Sequence, residues 1–169
     1  MIGKILRLLR HRWQDDRAVR RAVPPDLLAR LAQRVAASER RHGGEVRIYV
    51  EGGLPNSYIW RGATARERAV AMFSKLRVWD TEQNCGVLIY LLLAEHAIEI
   101  VADRGIARHV DPHHWRRIVG AMRPAFREGR FEDGLTQALE EVSALLVAHF
   151  PLAEGNAQAN ELPDAPVVG

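Results

Sequence analysis

The sequence has a single cysteine, Cys85, so no disulfide can form within the chain and its stability must come from packing. It has no apolar run near the roughly 20 residues that a helix needs to cross a bilayer. Its longest such run, Val87 to Ala94, has the length of a buried strand. No stretch combines a charged segment, an apolar segment and a small-residue cleavage site, so a non-secreted, cytoplasmic protein is expected. A Gly-x-Ser-x-Gly elbow, a Gly-Lys-Ser/Thr phosphate loop and a dinucleotide-binding glycine fingerprint are all missing, which removes the commonest hydrolase, nucleotidase and dehydrogenase signatures. A large excess of one charge is missing too: the 169 residues carry a formal net charge of +3.

That small excess is unevenly placed. Seven Lys and Arg stand before Pro24 against only Asp15 and Asp16, so the rest of the chain is slightly acidic. A nucleic-acid-binding fold carries its positive patch on the fold itself, so nucleic acid is not an expected partner. The positive segment is patterned: Ile2, Ile5, Leu6, Leu9 and Trp13 recur at helical spacing, with Lys4, Arg7, Arg10 and Arg17 on the other side. Residues 1–23 therefore read as a basic amphipathic helix, broken by Pro24 and Pro25. Two fates fit it. The apolar face packs on the domain or on a protein partner, the commoner outcome and the one expected here, or it lies in the interface of an anionic membrane.

Residues 24–151 read as one α/β domain. Leu27, Leu28, Leu31 and Val35 give a helix from about Asp26, its expected cap, to His42. Val46, Ile48 and Val50 alternate as in a strand. Thr64 and Glu67 have capping-box spacing before a helix with Ala69, Val70, Met72, Phe73 and Leu76 on its apolar face. Gly86–Leu93 and Ala97–Ala102 are strands close enough to form a hairpin turning at Glu95 and His96. Asp111 and Pro112 open a helix closed by Gly129, and a last helix covers Phe131 to His149. This order implies a small mixed sheet covered by helices on both faces. Residues 152–169, with three acidic residues, two prolines and no apolar period, read as a disordered acidic tail.

A two-residue turn would place Gly86 opposite Gly105 and draw Asp80, Glu82 and Asn84 toward Asp103. Carboxylates and an amide oxygen are hard ligands suited to calcium or magnesium, and a cation would relieve their repulsion. Arg104 is the nearest group able to stabilise a transferring phosphoryl group. A plainer reading also fits: Asp80 caps a turn, Glu82 is solvated, and Asp103 pairs with Arg104 or Arg108. His109 and His113 have the i, i+4 spacing of a zinc pair, but the helix start at Asp111 and Pro112 separates their faces. Cys85, at the mouth of an apolar strand, reads as a small core residue.

The run from Arg77 to Tyr90, with Trp79, Asn84 and Gly86-Val87-Leu88, followed by Ile98 to Ile106 and by Pro124-Ala125-Phe126-Arg127-Glu128-Gly129-Arg130-Phe131 with Gly134 and Leu135, resembles the TPM-domain family, also called the thylakoid-lumen phosphatase-like superfamily. The likeness covers about Leu27 to Pro151. It implies a three-layer α/β/α sandwich and, as in some members, a bound divalent cation with weak acid phosphatase activity. The resulting expectation is an accessory protein that binds a protein partner associated with a membrane, the alternative being a metal-assisted phosphatase acting on phosphomonoesters. No nucleotide or organic cofactor is expected.

Overall fold

The computed structural model describes residues 2–14, 16–152 and 159–169. Its sheet has the order β3-β2-β1-β4, formed by β1 (Glu45–Glu51), β2 (Gly86–Leu92), β3 (Ala97–Ala102) and the short β4 (Val167–Val168). β1 runs parallel to β2 and β4, and β2 pairs antiparallel with β3, so the sheet is mixed.

Alternation along the strands sorts the core into two layers. Val46, Ile48, Val50, Val87, Ile89, Leu91, Ile98 and Ile100 share one cluster with residues of α3 (Pro25–Glu39), α7 (Pro112–Arg127) and α8 (Phe131–His149). Tyr49, Leu88, Tyr90, Leu92 and Val101 form the other with α4 (Asn56–Trp60) and α5 (Ala65–Lys75). Two apolar faces with helices on each make the chain a three-layer α/β/α sandwich, as the resemblance implied. Among the described residues, no helix is long and apolar enough to cross a membrane.

Local signals act as physical chemistry requires at two of the helix starts expected to be capped. The Glu67 N–H donates to Thr64 Oγ1 at 3.2 Å and the Thr64 N–H to Glu67 Oε2 at 2.7 Å, a complete capping box. Asp111 Oδ1 accepts the His113 N–H at 2.6 Å, with Pro112 as the first residue of α7. At α3 the expectation fails: the cap position is Pro24, and Asp26 instead pairs with Arg30 one turn on, at 2.7 Å.

Three larger expectations are corrected. The hairpin turn is longer than two residues, with a 3₁₀ turn at Leu93–Glu95 and His96 in the left-handed region, so Leu92 pairs with Ala97 and Val87 with Ala102. The register therefore moves by two residues, and Asp103 rather than Gly105 comes level with Gly86. Within the acidic tail, residues 153–158 lie outside those described, but 159–169 return to the sheet. The Glu161 and Leu162 N–H groups donate to Glu45, Arg47 donates to the Pro163 carbonyl, and Val167–Val168 extends the sheet beside β1.

The amino-terminal segment is two helices, α1 (Ile2–Arg12) and α2 (Asp16–Ala22), and α1 meets the domain through the side opposite its apolar stripe. Arg7 donates to Glu95 Oε1 at 2.8 Å and to the Ala63 carbonyl at 2.7 Å, while His11 is buried. Ile5, Leu6, Leu9 and Trp13 face solvent.

Candidate functional site

The loop before β2 and the turn after β3 meet through the backbone. The Asp103 N–H donates to the Gly86 carbonyl and the Gly105 N–H to the Asn84 carbonyl, both at 2.8 Å. Close approach demands glycine here: a Cβ at Gly86 would lie 1.9 Å from Val78 O, and one at Gly105 would lie 2.3 Å from Asn84 O. Asn84 takes a positive φ of 53°, a conformation that asparagine tolerates better than most residues.

The four expected ligands do not converge. Asp80 is exposed and lies 3.6 Å from Arg77. The Glu82 side chain is exposed, and its N–H donates at 3.0 Å to the carboxylate of Glu161. Asn84 Oδ1 accepts two hydrogen bonds from Arg104, at 2.9 and 3.2 Å. Asp103 Oδ1 caps the short helix α6 (Arg104–Ala107) by accepting the Arg104 N–H at 2.7 Å. Only Asp103 Oδ2, buried and with no hydrogen-bond partner among the described residues, has the character of an open ligand. Among the described residues, no group of three or more His, Cys, Asp or Glu side chains is placed to hold a metal. As arranged, these residues do not fit a divalent cation, because a guanidinium already supplies the positive charge beside Asn84.

The other singled-out residues are spread out. His109 stacks on His149 at 5.2 Å, His113 is exposed, and His114 lies 3.2 Å from Arg117. Cys85 is buried, its thiol donates to the Gly43 carbonyl at 3.1 Å, and burial pushes its pKa up to about 11, which makes it inert packing rather than a nucleophile.

Two constellations escaped the sequence reading. The first is a buried tie between α5 and the sheet: Arg68 forks onto Glu51 at 2.5–3.1 Å, and the Tyr90 hydroxyl donates to Glu51 Oε2 at 2.7 Å. The second is a groove of about 700 Å³ between β3 and α7, with Arg66, Arg116 and Arg123 at its walls beside Glu99. Its floor is apolar, from Ile100, Val110, Trp115 and Val119. Trp115 Nε1 is buried there without a hydrogen-bond partner among the described residues. Burial holds the Glu99 carboxyl above its usual range, opposed by the charges of Arg66 and Arg123. The signal was present in α7, where Arg116, Gly120 and Arg123 share a face at i, i+4, i+7, but Arg66 joins them only through the fold.

A mixed sheet between two helical layers, with an arginine-walled groove at its β3 edge, defines an α/β/α sandwich domain. A model of the TPM domain matches residues 22–145, and the chain belongs to that family. Solved structures agree on the fold. The NMR structure of BA42 protein from the psychrophilic bacterium Bizionia argentinensis superposes with a TM-score of 0.74 at 24% identity, covering 87% of this chain and 95% of that one. The N-terminal domain of a protein from P. gingivalis gives a TM-score of 0.51 at 19% identity, over 72% and 76% of the two chains. No curated protein matches the chain.

Proposed function

We propose that this chain is a cytoplasmic TPM-domain accessory protein that works by holding an acidic, partly apolar segment of a membrane-associated protein partner in the groove between β3 and α7. The observation that carries the reading is the groove itself: three guanidinium groups around an apolar floor that includes an indole N–H with no partner among the described residues. Such a floor with a few convergent polar groups is the usual form of a binding site. Arginine forks pair well with carboxylates, and Trp115 can donate to a carbonyl of the bound segment. The cytoplasm suits the free thiol of Cys85.

The test is an NMR titration with a short acetylated peptide of alternating Glu and Leu, against a control with Lys in place of Glu. The acidic peptide shifts the amides of residues 98–102 and 115–123, and Arg116→Glu with Arg123→Glu abolishes the effect. No shift at millimolar peptide, or equal shifts with the Lys peptide, would contradict the reading.

A second reading, a calcium- or magnesium-assisted phosphatase acting on phosphomonoesters, is favoured by one observation, the buried Asp103 Oδ2 with no partner among the described residues. It requires Arg104 to leave Asn84. Calorimetric titration of either metal into wild type and Asp103→Ala checks it: heat lost with the substitution supports a site at the hairpin base.

A further inference from the structure

The amino-terminal arm is fastened to the domain by its polar side. Besides the bonds of Arg7, His11 Nδ1 accepts the Leu54 N–H at 2.9 Å, and its Nε2 lies 3.0 Å from Glu95 Oε1. The backbone is seated equally closely: a Cβ at Gly53 would stand 2.5 Å from His11 O, and one at Gly52 would stand 2.9 Å from Gln14 O. Arg7 and His11 lie four residues apart on one helical face. The stripe of Ile5, Leu6, Leu9 and Trp13 is on the opposite face, with side chains 49%, 61%, 47% and 81% exposed.

An amphipathic helix ordinarily buries its apolar face, and exposed contiguous apolar surface marks an interaction site. Here the domain cannot cover the stripe, because the domain holds the other side. Arg10 and Arg12, both exposed, flank the stripe on its two edges, and α2 adds exposed Arg17, Arg20 and Arg21. Between Ile2 and Arg12 there is no acidic residue. Trp60, 60% exposed, sits in α4, against which α1 packs. An eleven-residue helix is only about 16 Å long and cannot span a bilayer. Aliphatic and Trp side chains on one face with arginines along both edges suit a helix lying flat at the boundary of headgroups and acyl chains.

We infer that α1 is an interfacial anchor: it lies in the surface of an anionic lipid bilayer, with Ile5, Leu6, Leu9 and Trp13 in the apolar boundary and Arg10, Arg12 and the arginines of α2 on the acidic headgroups. The inference is independent of the groove, and its occupant is chosen by charge, since the net positive charge of the chain lies in the arm that carries the stripe.

The experiment is co-sedimentation of the full chain with vesicles of phosphatidylcholine alone and of phosphatidylcholine mixed with phosphatidylglycerol, for wild type, Leu6→Glu with Leu9→Glu, and Arg10→Gln with Arg12→Gln. The wild type binds the mixed vesicles and not the neutral ones, and added salt weakens the binding. Each double variant lowers the affinity at least about tenfold while melting at the wild-type temperature, because the replaced side chains touch solvent. Failure of the wild type to bind mixed vesicles at low salt overturns the inference. So does unchanged binding by either variant, or a solution dimer that Leu6→Glu dissociates, which would show a second copy covering the stripe.

Discussion

The Leu54 backbone N–H donates to His11 Nδ1, which fixes the tautomer: the proton sits on Nε2 and points to Glu95. Burial lowers the His11 pKa from the ordinary imidazole value. A depressed imidazole stabilises docking fully above the unfolded value of 6.5, and that contribution is lost as pH falls toward the folded value. Acidification is therefore expected to loosen α1 while the domain stays folded. His11→Ala should do the same at neutral pH, at a docking cost of about 1–3 kcal/mol, since Leu54 then keeps a buried unpaired donor. Limited proteolysis within residues 1–23, read alongside the melting temperature of the body, checks both.

Glu39 is a second pH-sensitive point. Burial raises its carboxyl to about 8, helped by Glu45 and Asp164, although the Val46 N–H bonds it at 2.9 Å. Because the folded value lies above the unfolded 4.5, the stability it contributes is complete below 4.5 and is lost as pH rises through about 8. Between those limits the protein should lose at most about 5 kcal/mol, less in proportion to the solvent that reaches this partly buried carboxyl, and Glu39→Gln should flatten that slope. Urea denaturation at several pH values measures it.

Arg68 leaves no inexpensive substitution. Its side chain is 13% exposed against 5% for Glu51, so Arg68→Met strands a buried carboxylate beside the Tyr90 hydroxyl. Removing one partner of a buried pair commonly costs about 3–5 kcal/mol. Arg68→Met should therefore approach that loss in chemical denaturation, whereas Arg130→Met, at an exposed pair, should change stability by less than about 1 kcal/mol.

Gly86→Ala tests the seating of the hairpin base. The added methyl meets the Val78 carbonyl at 1.9 Å, a backbone atom that cannot turn aside. A loss of about 3 kcal/mol or more is expected, as for other substitutions that force backbone shifts. Gly120→Ala is the contrast. Beyond its own stretch of helix backbone, no atom of the described residues lies within 4 Å of its Cβ, and the helix gains about 0.5–1 kcal/mol. Thermal melts of the two variants should move in opposite directions.

The fold was readable where one residue pair decides a structure on its own. Thr64 with Glu67 and Asp111 with Pro112 set their helix starts, and the alternation of Val46, Ile48 and Val50 set the strand face. What was not readable depended on partners distant in sequence. Turn length decided the hairpin register, and a two-residue error in it is silent, since it leaves every side chain on its own face. An amphipathic stripe says that a face is apolar, not which side meets the domain; Glu95 and Leu54 decided that for α1. The tail is polar in composition but orders through Glu45 and Arg47, 116 or 117 residues away in sequence. Asp80, Glu82, Asn84 and Asp103 do not converge, because Arg77, Glu161 and Arg104 engage separate members of the set.

The most direct measurement of the central claim, that this domain binds rather than hydrolyses, is turnover of p-nitrophenyl phosphate with millimolar calcium or magnesium by wild type and by Asp103→Asn, each confirmed folded. The account predicts no metal-dependent turnover above background in either. Turnover by the wild type that vanishes in Asp103→Asn would contradict it and move the working site from the groove to the base of the hairpin.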